Sequence, residues 1–269
     1  MQTRIARAAL PLAAALSLFA LPAHAQDDSD FVSRCYRNNR DNDREVFCEE
    51  RETRLGARDE LRVDGRQNGG VSIRAWDGRD ILVRAQIQTH AETRDEARDI
   101  ARQVRVSTGG EIYAEGPDVG RRRHWSVSYV IFVPRRIDLE VETNNGPLSV
   151  TGVSGDMELR AHNGPLALRG VGGDVHARTT NGPLHVSLEG SRWSGEGLDA
   201  ETTNGPVTLT IPAGYSAELE TGTVNGPMNI DFPVTVQGRL NRRINTTLGR
   251  GGPPIRVITT NGPVTVRRS

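Results

Sequence analysis

The chain closes on TTNGPVTV, residues 259–266, and two near copies precede it: TTNGPLHV at 179–186 and TTNGPVTL at 202–209. The core of the phrase occurs six times, as Asn145-Gly146-Pro147, Asn163-Gly164-Pro165, Asn181-Gly182-Pro183, Asn204-Gly205-Pro206, Asn225-Gly226-Pro227 and Asn261-Gly262-Pro263. Successive copies are 18, 18, 23, 21 and 36 residues apart. The first two intervals set a unit of 18 residues, and the next two carry small insertions such as SRWSGEG at 191–197. The last is twice the unit, as though one copy kept its length and lost its signature. A degraded seventh copy, NGGVSI, begins at Asn68. Self-similarity at a fixed short period is the signature of stacked repeats.

The flanks say what is stacked. Leu139, Val141 and Thr143 lead into Asn145; Val175, Ala177 and Thr179 into Asn181; Ile255, Val257 and Thr259 into Asn261. Leu148 and Val150, Leu184 and Val186, and Val264 and Val266 follow the same three corners. Glu140, Glu142, Glu158, Arg160, His176, Arg178, Asp199 and Glu201 fill the alternate positions. A period of two is a strand with one buried and one wet face, and a helical period does not fit it.

Asn-Gly between two strands ordinarily marks a two-residue hairpin. Here the next residue is Pro, which has no N–H to close that turn. The motif instead predicts a corner: Asn tolerates left-handed angles, Gly takes torsions closed to other residues, and Pro opens the departing strand. Identical corners favour one unit lying on the next, with strands about 4.8 Å apart and like residues in columns. Asn serves such a corner through its backbone angles or through a ladder of amide-to-amide bonds. The expected fold is all-β, a solenoid-like stack of β-strand repeats with one short helix near its N-terminal end.

That helix lies in the lead-in. Residues 61–90 alternate like the later copies, then AETRDEARDIARQVRV at 91–106 puts Ala97, Ile100, Ala101 and Val104 on one helical face. A short amphipathic helix across an open end of the sheet is predicted, covering its edge. WSVSYVIFVP at 125–134 returns to strand, and RRRH at 121–124 reads as a solvated loop or an anion-binding patch.

Residues 1–25, MQTRIARAALPLAAALSLFALPAHA, pair two arginines with a short apolar run and Ala-His-Ala, the layout of a secretory leader cleaved after Ala25. No later stretch is apolar enough to span a bilayer. Removing Arg4 and Arg7 from 34 basic residues leaves 32 against 34 acidic ones, an interspersed balance that argues against nucleic acid as a partner. All the basic residues are arginine. The expected organisation is a leader (1–25), a polar segment (26–60), and a β-repeat domain (61–269) divided into lead-in (61–136) and regular copies (137–269). In an exported chain Cys35 and Cys48 are expected to form a disulfide across the polar segment, since two thiols cannot complete a zinc shell.

LRVDGRQNGGVSIRAWDG at 61–78, YVIFVPRRIDLEVETNNGPLSV at 129–150, the Gly155-Asp156 and Gly173-Asp174 turns, and GRGGPPIRVITTNGPVTV at 249–266 together resemble the DUF4097 family, an adhesin-labelled, Toastrack-type β-strand repeat. The resemblance runs from Leu61 to Arg268. It implies an exported or envelope-associated repeat domain without described enzymatic activity. Some relatives belong to membrane-bound envelope-stress modules; this chain lacks their membrane span.

No catalytic, cofactor-binding or metal residue is assigned, and no cofactor is expected. The outward acids alternate with Arg160 and Arg178 as a solvated, cross-paired face would. Asp156 and Asp174 suit turns, with stacked calcium ligands as the alternative. His162, His176 and His185 point outward from different places in their repeats. The leading functional reading is a non-enzymatic binding, adhesin-like or scaffolding surface in the cell envelope, with an envelope protein or glycan as partner. The alternatives are an envelope-stress sensor domain with a membrane partner, and a carbohydrate-active enzyme on the same scaffold. Edman sequencing of the exported protein is expected to begin at Gln26; an intact N-terminus would remove the leader.

Overall fold

The computed structural model describes residues 31–39, 43–231 and 242–269; the leader and its cleavage site lie outside them. The chain runs through α1 (Phe31–Asn38), β1 (Glu45–Leu55), β2 (Glu60–Asp64), β3 (Val71–Trp76), β4 (Ile81–Ala91), α2 (Arg94–Gln103), β5 (Arg105–Ser107), β6 (Glu111–Glu115) and β7 (His124–Pro134). The regular copies follow as pairs: β8 (Asp138–Thr143) and β9 (Leu148–Thr151), β10 (Ser154–Asn163) and β11 (Leu166–Arg169), β12 (Gly172–Asn181) and β13 (Leu184–Ser187). Then come β14 (Gly197–Asn204) and β15 (Val207–Ile211), β16 (Ala217–Asn225) and β17 (Met228–Ile230), β18 (Arg243–Leu248), and β19 (Pro254–Asn261) with β20 (Val264–Arg268).

Each Asn-Gly-Pro carries the chain from one sheet to the other. Strands before the corner form a ten-stranded sheet, β18-β16-β19-β14-β12-β10-β8-β2-β6-β5, here the entry sheet. Strands after it form a second ten-stranded sheet, β1-β4-β7-β3-β9-β11-β13-β15-β20-β17, the exit sheet. No strand pairs with the one across its own corner, as the missing proline donor requires. Neighbouring copies pair in parallel and in register, Asn163 beside Asn181, Asn181 beside Asn204 and Leu166 beside Leu184. The inward residues of both sheets make one continuous core from Leu61 to Val266, with Leu148, Leu159, Leu166 and Leu184 fully buried. Each such side chain contributes about 1.5–3 kcal/mol relative to leaving it in water.

The corners hold the layers together in three columns. Asn side chains form an unbroken ladder, each Nδ2 donating to the Oδ1 of the layer before: Asn145 to Asn68 at 3.4 Å, Asn163 to Asn145 at 3.0 Å, Asn181 to Asn163 at 2.8 Å and Asn204 to Asn181 at 2.9 Å. Asn261 then donates to Asn204 at 2.8 Å and Asn225 to Asn261 at 2.9 Å. Behind it buried threonines donate to glycine carbonyls of the adjacent layer: Thr179 to Gly164 at 3.0 Å, Thr202 to Gly182 and Thr259 to Gly205 at 2.9 Å each. The glycines stack directly. A Cβ on Gly164, Gly182 or Gly205 would stand closer than 3.0 Å to the carbonyl oxygen of the preceding glycine, nearer than real Cβ atoms come.

This corrects the sequence argument at one point. No corner Asn has a positive φ, and of the corner glycines only Gly262 does, at 156°. Glycine is required at these corners for its missing Cβ, not for its torsional range. Left-handed glycine serves the return corner instead, where Gly152 (φ 71°) and Gly170 (φ 56°) turn the chain back to the entry sheet.

The order of the stack also departs from the order of the chain. The last unit, β19–β20, lies between β14–β15 and β16–β17. The double-length interval after Asn225 is not a silent parallel copy, because β18 within it pairs antiparallel with β16 and closes the edge of the entry sheet. At the other end β6 and β7 pair in parallel with β2 and β3, forming an outermost unit before the Asn68 copy.

Two helices sit at this end, one more than the sequence suggested. α2 buries Ala97, Ile100 and Ala101, with Val104 buried at its C-cap, on the predicted face. Thr93 Oγ1 caps its start by accepting from Glu96 N at 3.3 Å, and Arg51 of β1 donates to the carbonyls of Val104 (2.6 Å) and Ala101 (2.9 Å) at its end. It packs on Phe47 and Ala91 and covers the end of the core. The open edge falls to β1, whose charged face guards it. The polar segment supplies that strand and also α1, which buries only Cys35 and is held by the Cys35–Cys48 disulfide, Cα–Cα 6.3 Å. The bridge contributes about 2–3 kcal/mol by closing a short loop.

Gly182→Ala is expected to cost about 3 kcal/mol, because the new methyl meets backbone rather than a movable side chain. Asn181→Ala breaks two exposed amide bonds and is expected to cost about 1 kcal/mol. Urea unfolding of both variants checks the ranking; equal losses would refute the steric role of the glycine column.

Candidate binding surfaces

The two outer faces differ in how their polar side chains are used. On the entry sheet the register builds rows of opposite charge. Arg62 lies 2.7 Å from Glu60 and 3.3 Å from Glu140, Arg160 lies 2.9 Å from Glu158, and Arg178 lies 3.3 Å from Glu201. Arg256 bonds Asp199 and sits 3.3 Å from Glu201. Of the acids singled out in the sequence, Glu140, Glu158, Asp199 and Glu201 are therefore held by arginines of the same face, whereas Glu142 lines a depression with Arg66 and His162. These half-exposed pairs are individually weak, about 0–1 kcal/mol each, and act chiefly by satisfying one another.

The exit sheet is different. Its central strands β9, β11, β13 and β15 carry no carboxylate. They present Ser149, Thr151, Arg169, His185, Thr208 and Thr210 outward, flooring a shallow groove of about 420 Å³. Among the described residues none of these side chains has a hydrogen-bond or ion-pair partner within the protein. Short side chains repeated in register leave the face flat and its donors and acceptors available to a ligand. Sequence reading passed over it, because the small residues alternating with Leu148, Leu166 and Leu184 look like ordinary wet positions.

The three histidines do not meet. His176 Nε2 lies 3.5 Å from Asp174 on the entry sheet, His185 is on the exit sheet, and His162 lines a depression near the corner with Arg66 and Glu142. Asp156 and Asp174 lie within β10 and β12 and not in turns, and Asp138, the counterpart of Asp156 in the layer before, accepts the Asp156 N–H at 2.8 Å, tying neighbouring layers together. The expected disulfide residues and corner triplets are placed as described above, all in structural roles.

A further titratable pair went unnoticed in the sequence. His90 of β4 and His124 of β7 face each other across the exit sheet with ring centroids 6.4 Å apart, beside Arg44 and Asp43. Burial first, then the charges of His124 and Arg44, hold His90 below the ordinary imidazole range. Elsewhere the Tyr129 hydroxyl is buried without a partner, and burial raises its pKa far above the usual phenol range.

No helix of the described residues is long and apolar enough to cross a membrane. No curated protein matches the chain. Among solved structures, the chain is similar to one described as a "putative cell adhesion protein" from Clostridium sporogenes ATCC 15579, with 11% identity over 83% of this chain and 100% of that one, TM-score 0.40. It is also similar to a "putative adhesin" from Bacteroides fragilis NCTC 9343, with 12% identity over 83% and 97% of the two chains, TM-score 0.32. A third, a "putative lipid binding protein" from Parabacteroides distasonis ATCC 8503, shares 10% identity over 81% and 96%, TM-score 0.38.

A depressed His90 pKa means the folded state prefers the neutral ring. Its contribution is complete above the ordinary histidine range and is lost as pH falls through the folded value. The unfolding midpoint is expected to drop between about pH 7.5 and about pH 5, and to drop less in His90→Gln. Urea titrations at the two pH values check this.

The Toastrack DUF4097 model matches residues 135–267, the stretch that holds all six Asn-Gly-Pro corners, and with that repeat the chain belongs to the DUF4097 family.

Proposed function

We propose that the chain is an exported, non-enzymatic binding protein of the cell envelope, adhesin-like or scaffolding, whose working surface is the outer face of the exit sheet. The observation that carries this reading is the contrast between the two faces. The entry sheet pairs its own charges, whereas the exit sheet leaves hydroxyls, His185 and Arg169 unpaired on a flat surface. Layers repeating about every 4.8 Å suit an extended polymer that meets a new pair of outward side chains at each layer, Ser149 and Thr151, then Ala167 and Arg169, then His185 and Ser187, then Thr208 and Thr210. The central strands of that face, β9, β11, β13 and β15, are free of carboxylates and carry Arg169, which favours a glycan that is neutral or acidic. Export is supported by the leader and by the disulfide, which persists in oxidising compartments.

The enzymatic reading finds less support, because Glu140, Glu158, Asp199 and Glu201 are engaged by Arg62, Arg160, Arg178 and Arg256 and not set as a free pair about a cleft.

Co-sedimentation with insoluble envelope glycan, peptidoglycan sacculi included, tests the reading. Arg169→Glu combined with Thr208→Glu is expected to weaken retention at least about tenfold while leaving the thermal midpoint within a few degrees. Arg160→Glu on the entry sheet is expected to bind like the natural protein. Equal retention by the exit-sheet variant would discard the assignment of the face.

A further inference from the structure

The column of corners has a head, and the head is open. The outermost unit, β6–β7, has no Asn-Gly-Pro; residues 116–123 replace it with a wide loop. This loop stands away from the Asn68 corner and leaves a cleft of about 880 Å³, bordered by Arg66, Asn68, Val119, Arg121, Trp125 and Val127. The loop is braced. Trp125 Nε1 donates to the Pro117 carbonyl at 2.9 Å, Arg123 lies 2.6 Å from Glu96 of α2, and Arg122 lies 3.3 Å from Glu92.

The ladder ends at this cleft with a definite polarity. All six amide bonds run the same way, from Nδ2 of one layer to Oδ1 of the next toward Asn68. Asn68 accepts from Asn145 and its own Nδ2 has no partner in the protein. Hydrogen bonds in a chain polarise one another, so the terminal N–H is a strengthened donor and an anionic oxygen its best acceptor. Arg121 borders the same space with no ion pair of its own, and Arg66, braced by Asp64 at 3.1 Å, lies 4.6 Å over the Tyr113 ring. Of the acids on the rim, Asp118 turns to the Gly120 N–H at 3.4 Å, and Glu115 is outnumbered by the arginines. Trp125, half-buried and with its N–H occupied, offers an apolar ring face as one wall.

We propose that this cleft binds the carboxylate of an acidic saccharide. The carboxylate takes the free Asn68 amide and the Arg121 guanidinium, and the C–H face of the sugar lies on Trp125. These residues are separate from the exit-sheet face, so this inference and the proposed function stand or fall independently.

Calorimetric titration of the full-length mature protein with glucuronate, glucose and acetate reads the site directly. Glucuronate is expected to bind at least about tenfold more tightly than either of the others, one carrying the ring without the charge and the other the charge without the ring. Asn68→Ala and Arg121→Gln are each expected to weaken glucuronate binding about tenfold, the worth of one charge-assisted hydrogen bond. Both positions are exposed, so folding is expected to survive, and a thermal scan verifies it. Asn181→Ala, remote from the cleft but within the ladder, is expected to weaken binding about twofold to threefold. Glucose or acetate binding as well as glucuronate, no heat up to about 50 mM ligand, or unchanged affinity in Asn68→Ala would each overturn the proposal. Unchanged affinity in Asn181→Ala would overturn the role of the ladder in it.

Discussion

The structure rests on how closely one corner lies on the next. Successive glycines place backbone against backbone with no room for a side-chain carbon. That proximity sets the rise between layers, and every other regularity follows from it. Strands leave the corner already in register, asparagine amides come within bonding distance, and threonine hydroxyls reach the carbonyls of the adjoining layer. Proline does the complementary work. It cannot donate, so the chain crosses to the other sheet, while its carbonyl still accepts from the neighbouring layer, as Pro183 does from Leu166 N at 2.9 Å and Pro206 from Leu184 N at 2.9 Å.

Regularity at the corner fixes which surfaces are free to differ. Inward positions must supply Leu, Val, Ala or Met columns to a shared core, and corner positions are held by stacking. The outward positions of the two sheets carry no such constraint. One face has used them for ion pairs; the central strands of the other keep polar side chains without partners. The functional reading comes from this division of labour between faces of one scaffold.

Much of this was legible in the residues. A period of two, a recurring triplet and a proline where a hairpin needs an N–H are local signals, and they yielded strands, corners and layers. The reason for glycine was misread, since torsional freedom is a property of one residue whereas a steric clash belongs to two that meet only in the stack. The swapped position of β19–β20 was likewise illegible, because every copy offers nearly the same pairing edge and the sequence does not say which neighbour it takes. α1 escaped notice for a different reason: eight polar-rich residues that bury one cysteine are held by a covalent tie, not by a hydrophobic stripe. The exit face and the cleft at Asn68 arise from the absence of partners among folded neighbours, and no linear pattern records that.

The interleaving of the final unit bears on how the chain can assemble. In an ordinary solenoid each newly made turn docks on a finished surface, so growth follows synthesis from one end to the other. Here a segment made later, Pro254–Arg268, occupies a layer inside one made earlier, Ala217–Ile230. The segment from Ala217 to Ile230 must therefore wait undocked, or dock and release, until β19 and β20 arrive to bridge it to Gly197–Ile211. Closure of this part of the stack is thus deferred until β19 and β20 have been made. Loss of Pro254–Arg268 would take out a middle floor of the building rather than the roof, stranding a piece that is already made.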